Sequence, residues 1–178
     1  THVNRGIEFM RIYMAEKSWK PAWVADMESA ILCTNPAVPF AEIEFTGERA
    51  KQLAGIVGTA DLVGQMADRA YLEKLLFLFS EFKEAKLGDF KDMHDLLTRT
   101  HEFYDTTKKK LDGGLRHSYD YLVPHFKDWF GVEHNYYMVS IDKNIKYLLK
   151  VISESTAENL FDNLKRRGIA DKAAALVK

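Results

Sequence analysis

The sequence predicts an all-α fold of about eight helices with no sheet. Three observations carry that reading. Apolar residues recur at spacings of three and four along most of the chain, and nowhere alternate with polar ones for long. Helix breakers are scarce: 10 Gly and 4 Pro in 178 residues, below average usage. The remainder is rich in Leu, Lys, Glu and Ala, which are good helix formers.

The elements follow in order. Val3, Ile7, Met10 and Met14 make one apolar stripe, predicting a helix over 4–17. Lys20-Pro21 breaks it, and Pro21 suits the first position of a second helix ending near Cys33. Residues 34–46 hold Pro36 and Pro39 and read as a long loop. A third helix runs from Gly47 to about Met66, with Thr46 as its cap. Its three internal glycines, Gly55, Gly58 and Gly64, predict close approach by a neighbouring backbone. Leu72, Leu75, Leu76, Phe79 and Phe82 mark a helix over 71–87, stopped by Gly88-Asp89. The fifth helix, 90–111, turns Met93, Leu96, Leu97, Phe103 and Tyr104 inward and ends in three lysines before Gly113-Gly114. A sixth spans 115–130 with a bend at Pro124. A seventh spans 133–153, and a short eighth runs from Thr156 to Arg167, with Gly168 as its stop.

Composition excludes several classes. Lys and Arg total 25 against 26 Asp and Glu, so net charge is −1. That balance argues against a nucleic-acid binder working by bulk charge. The longest strongly apolar run, Leu75 to Phe79, is far short of a membrane span. Cys33 is alone, so a disulfide scaffold is excluded and a cytoplasmic, reducing location is expected. No signal peptide is visible.

The segment GTADLVGQMADR, residues 58–69, is the most informative. Asp61 is expected on the same helix face as Gly58 and Gly64, buried, and therefore partnered by a cation, a metal or strong donors. Asp68, seven residues on, shares that stripe. Two readings stay open for Asp61: helix–helix hydrogen bonding, or a metal ligand in a bundle core. His94-Asp95 sits in an ordinary amphipathic helix, and His94 and His101 are seven apart. Tyr104, Tyr119, Tyr121, Tyr136 and Tyr137 either line a planar pocket or are core residues with hydroxyls at the surface. Cys33 reads as buried and structural.

Residues 30–82 resemble the later part of the HD superfamily of metal-dependent phosphohydrolases, which includes the cyclic-nucleotide phosphodiesterases. The resemblance runs through AILCTNP and GIVGTADLVGQMADRAYLEKL, with THVNRGIEFMRIYMAE similar to the preceding helix. It implies an HD-like bundle in which 1–88 is the later part of the core and 89–178 a helical extension packed on it. It implies a divalent metal held by a His, a His-Asp dyad and a later Asp. Asp61 matches that last Asp, Asp68 would support it from behind, and His2 lies where some relatives place a histidine near a second metal or phosphate. The earlier His and the dyad would lie before Thr1, and Cys33-Thr34-Asn35 departs from the family's Ala-Thr-Asp. The resemblance therefore implies a phosphoester or nucleotide hydrolase lacking ligands in this chain, acting on a small phosphorylated substrate. The alternative is a catalytically inactive helical binding or scaffolding module on the same frame.

Overall fold

Pro21 lacks the amide that would continue a helix, and the chain turns back on itself just before it. In the computed structural model, α1 (His2–Glu16) and α2 (Pro21–Leu32) form a helical hairpin. Ser18 closes α1 in the left-handed region (φ 54°), and the Trp19 amide reaches back to the Met14 carbonyl at 3.0 Å. Arg11 joins the two helices by a forked bond to Glu28, Nε to Oε1 2.6 Å. The structure describes residues 2–35, 38–85 and 89–177, and no strand occurs among them. The expected breaks at Pro36 and Gly88 lie outside the described residues.

The remaining helices are α3 (Glu48–Met66), α4 (Tyr71–Ala85), α5 (Met93–Asp112), α6 (Leu122–Phe130), α7 (Tyr136–Glu154) and α8 (Arg167–Val177), with short 3₁₀ turns at Phe40–Glu42, Ser118–Tyr121 and Leu160–Asn163. The chain divides into two compact units. The first is Thr1–Gly64 with Thr107–Asn135; the second is Gln65–Thr106 with Tyr136–Lys178.

In the first unit the core includes Met10, Met14, Ala30, Cys33, Ala54, Leu111 and Leu115. Two of the three helix glycines are there for contact. A Cβ at Gly58 would lie 2.8 Å from Cys33 Sγ and 3.1 Å from Leu115 Cδ2. One at Gly55 would lie 3.1 Å from Ser118 Oγ and 3.3 Å from the Leu115 carbonyl oxygen. Gly64 is exposed, with nothing within 4 Å of such an atom. It sits opposite the buried row of Ala54, Gly58 and Thr59, so the expectation that it shares their face is wrong. Thr46 does not cap α3: its hydroxyl donates to the Asp26 carboxylate, and Gly47 supplies the carbonyl that accepts the first helical amide, from Lys51.

In the second unit, α5 buries Met93, Leu97 and Thr100, a row at spacings of four and three. Phe103, seven residues after the buried Leu96, is 45% exposed, against the expectation that it points inward. Asp92 starts this helix by accepting the Asp95 amide at 2.8 Å.

Two helix boundaries differ from the sequence reading. The segment 115–130 is not one bent helix. Gly113-Gly114 ends α5, a tight turn and a 3₁₀ turn follow, and only then does α6 begin. Pro124 lies in the first turn of α6, where its missing amide costs nothing, so it causes no bend. At the C-terminal end, Gly168 does not stop a helix but lies at the start of α8. The expected helix over 156–167 is a 3₁₀ turn, and Leu164 is extended (ψ 138°). The Ala-rich run after Gly168 favours helix, and Ala170 and Ala173 are fully buried where α8 packs on α4. The buried Glu73 carboxylate of α4 accepts the Arg166 amide at 2.7 Å, fixing where α8 starts.

The glycine contrast gives a direct test. Gly58→Ala should destabilise by about 1–3 kcal/mol through forced repacking. Gly64→Ala should stabilise by about 0.5–1 kcal/mol through lost chain entropy. Urea melts of both variants check the sign at each position.

Candidate functional site: an open cationic cleft

The first unit carries an open cleft of about 470 Å³. Phe40, Ala41, Ile43 and Phe45 line one side, Glu48 and Lys51 of α3 a second, and Gly113, Gly114 and Arg116 a third. The Phe40 and Phe45 rings meet at 5.0 Å between centroids with a 36° tilt, an ordinary aromatic pair. Gly114 is required beside them, since a Cβ there would come 2.9 Å from Phe40 Cβ.

The third side is the most constrained backbone in the unit. After α5 the Leu115 amide returns to the Lys110 carbonyl and the Gly113 amide to Lys109, both at 2.9 Å. The Arg116 amide bonds Gly113 at 2.9 Å and the His117 amide bonds Leu111 at 3.0 Å. Within this knot Arg116 (φ 56°) and His117 (φ 53°) are both left-handed. Left-handed backbone costs a residue with a Cβ about 1–2 kcal/mol. Two in succession persist only because the bonds around them and the fully buried Leu115 side chain hold them. The result carries the Arg116 side chain to the cleft, where its Nη1 donates to Glu48 Oε2 at 2.8 Å. Both side chains are largely exposed, so the pair adds little stability.

The knot is extended by polar contacts on its far side. The Tyr119 hydroxyl donates to Asp112 Oδ1 at 2.8 Å and lies 2.9 Å from His117 Nδ1. Desolvation, and then the Asp112 carboxylate, push the Tyr119 phenol up to about 12. Tyr121 accepts from Gln52 at 2.9 Å, and Tyr104 donates to Asp142 at 3.3 Å in the second unit. Tyr136 and Tyr137 are exposed. Of the tyrosines singled out, Tyr119 and Tyr121 belong to the first unit, and Tyr104, Tyr136 and Tyr137 to the second.

His2 is exposed at the start of α1. Asp61 is only partly buried on α3, because it flanks the row that faces the core, so its expected full burial is corrected. Asp68 is not on α3, which ends at Met66. It starts α4 instead, accepting the Ala70 amide at 2.7 Å and a bond from Lys74. Lys74 first, and the Ala70 amide second, hold its carboxyl below the usual carboxylate range. Asp61 and Asp68 fall in different units. Among the described residues no group of three or more His, Cys, Asp or Glu is placed to hold a metal ion. Asp95 of the His94-Asp95 pair accepts the Lys91 amide at 3.0 Å and Arg99 Nε at 3.1 Å. Those contacts, the Lys91 amide foremost, lower its carboxyl pKa. Cys33 is buried, and desolvation pushes its thiol up.

The cleft residues were not legible in advance. Arg116 has no motif around it, and the one signal was the Gly113-Gly114 pair, read as a helix stop.

Fold and cleft define the class: an all-α protein with an aromatic, cation-bearing cleft and no helix, among the described residues, long and apolar enough to cross a membrane. The chain belongs to the Npun_R2479-like family, whose model matches residues 1–128. That span holds every residue of the cleft. No curated protein and no solved structure matches the chain.

The Asp68 contacts predict a pH signature. Its folded-state pKa is depressed, so the stability it supplies is present above the unfolded value of about 4. That stability is lost as pH falls through the lowered folded value. Thermal melts of the native chain and Asp68→Asn should differ at pH 7 and converge in strong acid; a difference constant with pH would refute the assignment.

Proposed function

We propose that this chain is a helical ligand-binding module and that its cleft takes a small organic anion, a carboxylate or phosphate monoester with a flat apolar body. The observation that carries this is Arg116: two successive left-handed residues hold a cation at the mouth of an aromatic cleft. Strain retained at a surface turn is a mark of a functional site. Lys51 of α3 adds a second cation to the lining, and Phe40 and Phe45 add apolar surface. The volume lies within the range typical of small-molecule sites. Glu48 acts as an internal stand-in for the ligand, occupying Arg116 in an exposed pair that an incoming anion displaces at little cost.

The phosphohydrolase reading carried by the resemblance at Asp61 would require further ligands beyond the described residues of this chain. The module reading needs none. It also predicts effects of opposite sign at two neighbouring positions. Calorimetric titration with phenyl phosphate, benzoate and inorganic phosphate separates the headgroup from the ring. Phenyl phosphate or benzoate should saturate the chain, and inorganic phosphate should bind more weakly. Arg116→Asn, which tolerates the left-handed backbone, should weaken binding about tenfold or more. Glu48→Gln should strengthen it by removing the competing carboxylate. No saturable binding, or binding indifferent to both substitutions, would overturn the proposal.

A further inference from the structure

The outer surface of the α1–α2 hairpin is unusually apolar. Phe9 (68% exposed), Ile12 (55%) and Tyr13 (46%) point outward from α1, and Trp19, Trp23 and Met27 are exposed beside them in sequence. The rings are already ordered: Phe9 stacks on Tyr13 at 6.2 Å and Trp19 meets Trp23 edge-on at 5.7 Å. Lys17 lies over the Tyr13 ring and Lys20 over Trp23. Six such side chains, about half exposed, present roughly 500–600 Å² of apolar surface. That is at the upper end of the largest patch on ordinary monomers. It is also close to the apolar share of the ~800 Å² each partner contributes to a standard interface.

Charge narrows the choice of partner. The hairpin carries Arg5, Arg11, Lys17 and Lys20 against Glu8, Glu16, Asp26 and Glu28, a net charge of zero. An anionic membrane or a nucleic acid would call for a basic excess. The arrangement of the charges is more specific still. Arg5, Phe9, Ile12 and Glu16 are spaced by four, three and four residues, so they form one outward row on α1, and all four are exposed. Positive charge stands at one end, negative at the other, and the apolar pair in the middle. Turned through a two-fold axis, this row is complementary to itself. Arg5 of one copy meets Glu16 of the other, and Phe9 meets Ile12. Glu8 and Tyr13 pair on the same axis.

We infer that the outer face of α1 is a homodimer interface, in which two copies of this chain pack α1 against α1 antiparallel about a two-fold axis between Phe9 and Ile12. The interface is isologous, the commonest arrangement in soluble oligomers. It is independent of the cleft, which draws on none of these residues.

Sedimentation velocity on the full chain from about 2 to 200 µM tests this, since standard-size interfaces give dissociation constants at or below the micromolar range. A concentration-dependent dimer is expected. Phe9→Asp should make it monomeric without loss of helicity, because the side chain it replaces is exposed. Arg5→Glu and Glu16→Arg should each weaken the dimer several-fold by placing like charges in contact. The double variant Arg5→Glu/Glu16→Arg should restore it, which a parallel pairing would not do. A chain monomeric throughout the range overturns the inference, as does a dimer untouched by Phe9→Asp or by the charge reversals. A monomer that binds phosphatidylcholine or phosphatidylserine vesicles through Phe9 would overturn it in favour of a lipid surface.

Discussion

The close seating of α3 on the turn after α5 is the constraint on which the first unit depends. Gly58 lets the helix settle against Cys33 and Leu115, and Gly55 lets it settle against the Leu115 carbonyl and Ser118. A methyl group at either position would push the turn outward. Leu115 is fully buried by this seating, and its burial holds the chain in place on both sides of it. The Ser118 hydroxyl closes the turn by donating to the Leu115 carbonyl at 2.6 Å. Everything displayed on the cleft's third side inherits its position from that contact.

The same contact explains how two left-handed residues survive. A short turn that must return from α5 and start a 3₁₀ segment within a few residues cannot do so in ordinary helical or extended backbone. Glycine would relieve the strain at 116 and 117, as it does at Gly131 after α6 (φ 66°). The chain has arginine and histidine instead. The backbone bonds to Leu111 and Gly113, with the Tyr119–Asp112–His117 cluster beside them, supply the compensation. Strain is kept where glycine would have been cheaper, and the side chain that glycine would remove is the cleft's cation.

What could be read from the sequence and what could not divide along a physical line. Helices with a strong apolar stripe, such as α1 and α4, were legible because burial of one face is a local signal. The failures came where tertiary contact decides. Gly58 and Gly64 have the same local chemistry, and only the neighbour at 58 distinguishes them. Gly168 reads as a stop from its own chemistry, yet the buried Glu73 carboxylate, 93 residues away in sequence from Arg166, starts a helix there. Asp61 and Asp68 share a stripe only on a helix that reaches 68, and α3 ends at Met66. The cleft was hidden for the same reason: its pieces come from the 3₁₀ turn at Phe40, the first turn of α3 and the knot after α5, and no periodicity links them.

The buried Glu73 shows why a carboxylate inside a helical protein is weak evidence for metal chemistry. It is 2% exposed, deeper than either aspartate singled out from the sequence, and its visible task is to receive a backbone amide at the start of α8. A helix start offers unsatisfied amides, and a buried carboxylate that accepts one is satisfied without any ion. Asp92 and Asp68 do the same for α5 and α4 closer to the surface. Three carboxylates thus share one physical role, anchoring the first turn of a helix in the second unit. The arginine of the first unit differs from them in kind: its side chain bonds an exposed glutamate, and its backbone is strained. Helix starts account for these three carboxylates, and left-handed backbone held at a surface turn sets Arg116 apart from them.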